Sequence, residues 1–274
     1  MSAPTTTGTS RTVTIATGMS ITIDEYGAGT EGTCVLMLHG GAGPRTVAGI
    51  SAALSPHVHV IAPPHPGSDG TPRPERFDSI ADLAEAYLDL LDELDLTRVM
   101  VVGNSVGGRI AAEMALRDAN GRIGAPVLLN AVGIRGRGED QVLDIRGVAP
   151  AEISKLSFAN AAFRPDFSSF SDQQRAVTAA NQKVLATYGG ADFTFDPKLR
   201  RRLHRITVPV LVAWGEQDGI APVGYGRAYA AAFPDGHFVP IPGAGHLPQI
   251  EQTGSTLGAI GEFVDTVVKP SATT

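Results

Sequence analysis

The run Cys34–Leu38, Cys-Val-Leu-Met-Leu, constrains the fold of this chain more than any other stretch. Five apolar residues with no polar alternation suit a strand buried on both faces of a parallel sheet. Val58–Ala62, Arg98–Gly103, Pro126–Leu129, Val208–Trp214 and His237–Ile241 also read as strands. Helical patterns lie between several of them. The plainest runs from Ser79 to Leu94, where Ser79 and Asp82 have the spacing of a capping box and Ile80, Leu83, Ala84, Tyr87, Leu91 and Leu94 share one face. Val106–Arg117, a stretch around Val223–Phe233, and a last segment from about Gln249 to Val268 are further helices. Strands alternating with helices give a parallel sheet with right-handed crossovers. Thr12–Ala16 and Ile21–Tyr26, split by Gly18, alternate instead and predict an antiparallel pair ahead of it.

The rhythm stops between Val132 and Arg205. That segment carries helical patches and aromatic residues but no buried-strand run, and reads as a helical insertion. The expected organisation is a tail over residues 1–10, a core formed by 11–131 and 206–269, and an inserted lid over 132–205. The Thr- and Ser-rich start lacks the basic and apolar regions of a signal peptide, and no stretch is apolar enough to span a bilayer. A cytoplasmic protein is expected. One cysteine, Cys34, cannot form an internal disulfide and suits a reducing compartment. The net charge of −6 argues against nucleic acid as the partner. The basic run Lys198–Arg205, interleaved with leucines, reads as a helix joining insertion to core, and His57, His59 and His65 as surface histidines rather than metal ligands.

The sharpest local signal is Gly103-Asn104-Ser105-Val106-Gly107, which fits G-x-S-x-G between an apolar strand and a helix. So tight a turn strains the backbone at Ser105, and side chains two residues to either side would meet the neighbouring elements. A serine hydroxyl is a weak nucleophile until a base takes its proton. Two later segments carry suitable partners: Trp214-Gly215-Glu216-Gln217-Asp218 follows one strand, and Gly243-Ala244-Gly245-His246 follows the next. Strands of a parallel sheet share one C-terminal edge, so the three segments converge there.

Together these motifs resemble the α/β-hydrolase superfamily from Thr12 to Val268. His39-Gly40-Gly41 is similar to its oxyanion loop, Pro209–Asp218 to its acid-bearing strand and loop, and Gly245-His246-Leu247-Pro248 to its histidine loop. The resemblance implies an α/β fold with an eight-stranded, mostly parallel sheet flanked by helices and a helical lid after the sixth strand. It implies Ser105 as nucleophile, His246 as base and Asp218, rather than Glu216, as acid, with Gly41, Ala42 and Val106 forming the oxyanion hole. Asn130 stands where some relatives put the acid. Asn104, Leu247, Phe163 and Phe167 are the candidate substrate-binding residues. No cofactor or metal is called for, and the expected partner is a small, mostly apolar substrate.

Esterase or lactonase chemistry asks least of such a site. Perhydrolase and aminopeptidase activities, and a slow-turnover ligand receptor on the same fold, stay open. The elbow also resembles that of meta-cleavage-product C–C hydrolases, which usually carry a Trp after the histidine, where Leu247 stands here. Those relatives use a lid arginine for the substrate carboxylate, for which Arg135, Arg137, Arg146, Arg164 and Arg175 are candidates.

Overall fold

The computed structural model describes residues 8–27 and 34–268. Eight strands form one sheet in the order β1-β2-β4-β3-β5-β6-β7-β8. β1 (Thr9–Thr14) pairs antiparallel with β2 (Ser20–Tyr26), which pairs antiparallel with β4 (His59–Ala62). β3 (Cys34–Leu38), β5 (Val99–Asn104), β6 (Ile123–Leu129), β7 (Val210–Gly215) and β8 (Gly236–Ile241) continue it in parallel. The first strand begins at Thr9, so residues 9 and 10 belong to the sheet and not to a tail. Of the expected tail, residues 1–7 fall outside the described residues.

Period-two alternation sends side chains of each central strand into two cores. Leu36 and Leu38 of β3 join Val101 and Val212 on one face. Val35 and Met37 join Val102, Leu211 and Ala213 on the other. α2 (Ile80–Glu93), α3 (Val106–Arg117) and α6 (Val223–Ala230) cover the first face. α1 (Arg45–Leu54) and α8 (Thr253–Phe263) cover the second through Val47, Ile50, Ile260 and Phe263. Burying one such Leu or Phe is worth about 1.5–3 kcal/mol, so both layers contribute heavily. Cys34 is buried here, and burial pushes its thiol up to about 12. It is unreactive packing.

The predicted capping box is present: the Ser79 hydroxyl accepts from Asp82 N, and the Asp82 carboxylate accepts from Ser79 N at 2.9 Å. Two helix expectations need correction. The final helix is broken, with α7 (Pro248–Glu251) separated from α8 by Gln252 in a non-helical conformation. Lys198–Arg205 forms turns and a single 3-10 turn at Leu203–Arg205, because burying Leu199 and Leu203 folds the segment onto the core. α1 had no counterpart among the expected helices.

Between β6 and β7 the chain passes through α4 (Pro150–Ser157), α5 (Asp172–Gly189) and short 3-10 turns, and adds no strand to the sheet. α5 starts at a second capping box, formed by Ser171 and Gln174. No described helix is long and apolar enough to cross a membrane.

Candidate active site

The turn from β5 into α3 holds Ser105 at φ 56°, ψ −118°, a conformation that L-residues avoid. Such backbone costs about 1–3 kcal/mol and persists only where packing over-determines it. The packing is visible at two glycines. A Cβ on Gly103 would stand 2.2 Å from Gly107 O, and one on Gly107 would stand 2.3 Å from Leu38 O. Neither position admits a side chain. The strained turn thus lifts the Ser105 hydroxyl clear of the sheet edge.

Ser105 Oγ lies 2.9 Å from His246 Nε2, and His246 Nδ1 lies 2.7 Å from Asp218 Oδ2. A carboxylate only accepts, so Nδ1 carries the proton and the Nε2 lone pair faces the serine. Asp218 is buried and its orientation is fixed from three sides. Ile220 N and Ala221 N donate to Oδ1 at 2.7 and 3.0 Å, and Asn130 Nδ2 donates to Oδ2 at 2.7 Å. Glu216 is exposed and touches none of these groups. His246 is held by its backbone: its N–H donates to Ser157 O at 2.7 Å, and the buried Glu251 carboxylate accepts from Gly245 N at 2.7 Å. The other Glu251 oxygen accepts from Asn160 N at 2.8 Å, tying the histidine loop to the stretch after α4.

A buried network stands behind the Gly40-Gly41-Ala42 turn. The Gly40 carbonyl accepts from His39 Nδ1–H at 2.6 Å, which leaves His39 Nε2 to accept from His65 N at 2.9 Å. His65 Nε2–H donates in turn to His39 O at 2.9 Å, so His65 Nδ1 accepts from the Tyr87 hydroxyl at 2.6 Å. Both rings are neutral. Burial pushes His39 down to about 4 and His65 well below its ordinary value. His65 is therefore a buried bracket for the turn and not a surface histidine. Among the described residues, the N–H groups of Gly41 and Ala42 meet no backbone acceptor. Val106 N–H opens α3, where the first turn leaves its donors unpaired within the helix. Gly41, Ala42 and Val106 border the same cavity as Ser105.

That cavity has a volume of about 410 Å³ and is lined mainly by apolar side chains from the β6–β7 segment. Phe163, Phe167 and Leu247 all face it, and Phe163 is 41% exposed at its rim. Asn104 also borders it, but its amide is occupied by the scaffold: Nδ2 donates to Leu129 O at 3.1 Å and His246 O at 3.0 Å. Among the described residues, Arg45 is the one ionisable lining side chain besides His246. None of Arg135, Arg137, Arg146, Arg164 and Arg175 reaches the cavity. Arg146 pairs with Asp144, and Arg175 donates to Phe167 O.

Three contributors were not legible as site residues. Asn130 at the end of β6, His65 and Glu251 all act through contacts made only in the folded chain. A faint signal existed for Asn130, since it follows an apolar strand at the same edge as Ser105. Among the described residues, no group of His, Cys, Asp or Glu is arranged to hold a metal ion.

Comparison with known proteins agrees with this fold. The chain is 29% identical to 2-hydroxy-6-oxononadienedioate/2-hydroxy-6-oxononatrienedioate hydrolase of Cupriavidus pinatubonensis, over 94% of this chain and 96% of that one. It is 25% identical to the pimeloyl-acyl-carrier protein methyl ester esterase of Chromobacterium violaceum, over 90% and 99%. Among solved structures, a thermophilic esterase from Thermogutta terrifontis superposes with a TM-score of 0.74 at 24% identity, covering 95% of this chain and all of that one. The profile of the alpha/beta hydrolase family matches residues 35–255, which span the elbow and both later loops. With that match over most of its length, the chain belongs to the alpha/beta hydrolase family and is a hydrolase.

Proposed function

We propose that this hydrolase cleaves an ester-type acyl–oxygen bond of a small, mostly apolar substrate through an acyl-enzyme on Ser105. The observation that carries the reading is the unbroken line of contacts Ser105–His246–Asp218, at 2.9 and 2.7 Å, opening on the apolar cavity. His246 Nε2 takes the Oγ proton as the oxygen attacks the carbonyl carbon. Negative charge gathers on the carbonyl oxygen, and the N–H groups of Val106 and of Gly41 or Ala42 meet it. Each such donor is worth about 3–4 kcal/mol in the transition state. His246 then returns the proton to the leaving alkoxide, and water, deprotonated by the same nitrogen, releases the acid from Ser105. Asp218 keeps the imidazole in the required tautomer and stabilises its charged form.

In this reading residues 132–205 form a helical lid. It supplies Phe163, Phe167 and most of the apolar wall, and so determines which acyl and alcohol groups fit. Carbon–carbon cleavage is the second reading, favoured by the likeness to the dioate hydrolase. It is disfavoured by Leu247 behind the histidine and by the absence of the five lid arginines from the cavity. The test is turnover of p-nitrophenyl esters from acetate to octanoate, set against a vinylogous 1,5-diketone. Ester turnover well above diketone turnover is expected. Efficient diketone cleavage with negligible ester hydrolysis would replace this reading by the second.

A further inference from the structure

The basic run that opened as a supposed helix has a different use once folded. Arg202 is neutralised, donating to Asp196 and, at 3.1 Å, to the buried Glu113. Among the described residues, its neighbours Arg200 and Arg201 make no such pair. With Arg135 and Arg137 from the segment after β6, and with Pro197, Ala231 and Ala232, they line an open groove of about 580 Å³. Among the described residues no carboxylate lines it, and none of the four guanidinium groups has an ion-pair partner. Four unpaired positive charges in one concavity are notable on a chain of net charge −6. Gathered like charges repel, and the groove focuses their field on whatever anion enters.

The arrangement is also held in place. Arg135 lies 4.8 Å from the centre of the Phe195 ring, a cation–π contact that restricts the guanidinium. Gly133 bridges to Phe195, and Asp196 N donates to Gly133 O at 2.8 Å, so the two arginine-bearing segments are locked together. Thr194, one residue before Phe195, lines the catalytic cavity, which puts cavity and groove on either side of one short strip of chain.

We propose that this groove is a binding site for a ligand carrying a diphosphate. A planar guanidinium offers a fork of N–H donors that matches phosphate oxygens in pairs. Four arginines exceed what a single carboxylate can neutralise, while a diphosphate carries two to three negative charges and enough oxygens to meet them. Neither the hydrolytic site nor its apolar cavity is needed for this binding.

The test is calorimetric titration of the intact protein with inorganic pyrophosphate, with ADP, and with acetate as the monovalent control. Pyrophosphate or ADP is expected to bind and to weaken with added salt, and acetate not to bind. ADP tighter than pyrophosphate assigns the groove to nucleotides, and equal affinities assign it to the diphosphate alone. The double variant Arg200→Ala/Arg201→Ala, at one half-buried and one exposed position, should weaken pyrophosphate about tenfold or more, with far-ultraviolet circular dichroism and ester turnover unchanged. Arg135→Ala/Arg137→Ala, on the other segment, should do the same, and Ser105→Ala should bind as the wild type does. Absence of binding at millimolar pyrophosphate, or equal binding by both double variants and wild type, overturns the proposal. So does a single-stranded RNA binding tightly while pyrophosphate and ADP do not, which would make the groove a nucleic-acid surface.

Discussion

Asn130 Nδ2 donates to Asp218 Oδ2 at 2.7 Å, the same oxygen that faces His246 Nδ1. Asn130 sits at φ 44° past the end of β6, and its Oδ1 accepts from Gly215 N at 3.0 Å, so one side chain fixes the acid to the end of β7. A hydrogen bond to a charged acceptor contributes about 1.5–3 kcal/mol. Asn130→Ala is therefore expected to lower kcat for an aryl ester by about tenfold or more with little change in KM. A change in KM alone would show that Asn130 touches substrate instead of positioning Asp218.

The two acids of the β7 loop should separate cleanly. Asp218→Asn removes the acceptor that fixes the His246 tautomer and should cost about 10³–10⁴ in kcat. Glu216 is exposed and remote from the imidazole, so Glu216→Gln should stay within about twofold, as isolated surface changes do. Steady-state kinetics on both variants decides it. A larger loss for Glu216→Gln would move the acid.

The bracket behind the Gly40-Gly41-Ala42 turn makes stability depend on pH. His39 stays neutral down to about 4 and burial holds His65 well below its ordinary value, whereas unfolding returns both to ordinary imidazoles near 6.5. Between those values the unfolded chain binds more protons, so stability is full above about 6.5 and is lost as pH falls toward 4. Each histidine contributes a slope of up to about 1.4 kcal/mol per pH unit. Thermal melts should show Tm falling over that window. His65→Leu should start from a lower Tm at neutral pH and show about half the slope from these two groups. An unchanged slope would mean that His65 is already protonated in the fold.

Substrate preference should follow the aromatic wall. Phe163→Ala/Phe167→Ala enlarges the cavity at its rim, where Phe163 is already partly exposed and contributes little to the core. Relative kcat/KM across ester chain lengths should shift toward longer acyl groups, with Tm lowered by only a few degrees. Cooperative loss of the fold with no shift in preference would give these residues a structural role.

The parallel sheet, the elbow and the α2 capping box were legible because each is written within a few neighbouring residues. Cys34–Leu38 is a strand from end to end, and Ser79 with Asp82 closes its box as the spacing implies. The convergence of Ser105, Asp218 and His246 followed from one topological rule about strand ends. What stayed hidden depends on distant contacts. α1 has a Gly within a short amphipathic stretch and gains its stability by packing Val47 and Ile50 under the sheet. His65 looked exposed in a Pro- and Gly-rich loop, yet His39 and Tyr87, 26 and 22 residues away, bury it. Asn130 offers only its place after an apolar strand and Glu251 no motif, since the contacts that matter come from β7 and its loop, from the histidine loop and from the segment after α4.

The central claim is that Ser105 forms the covalent intermediate with His246 as its base. Intact-protein mass spectrometry after treatment with a fluorophosphonate ester tests it most directly. One adduct is expected on the wild type, mapping to the peptide containing Ser105, with ester turnover lost in proportion to labelling. Ser105→Ala should take up no label, and His246→Ala should label far more slowly while keeping its fold. Labelling of Ser105→Ala at the wild-type rate, or full ester turnover by that variant, would contradict the account.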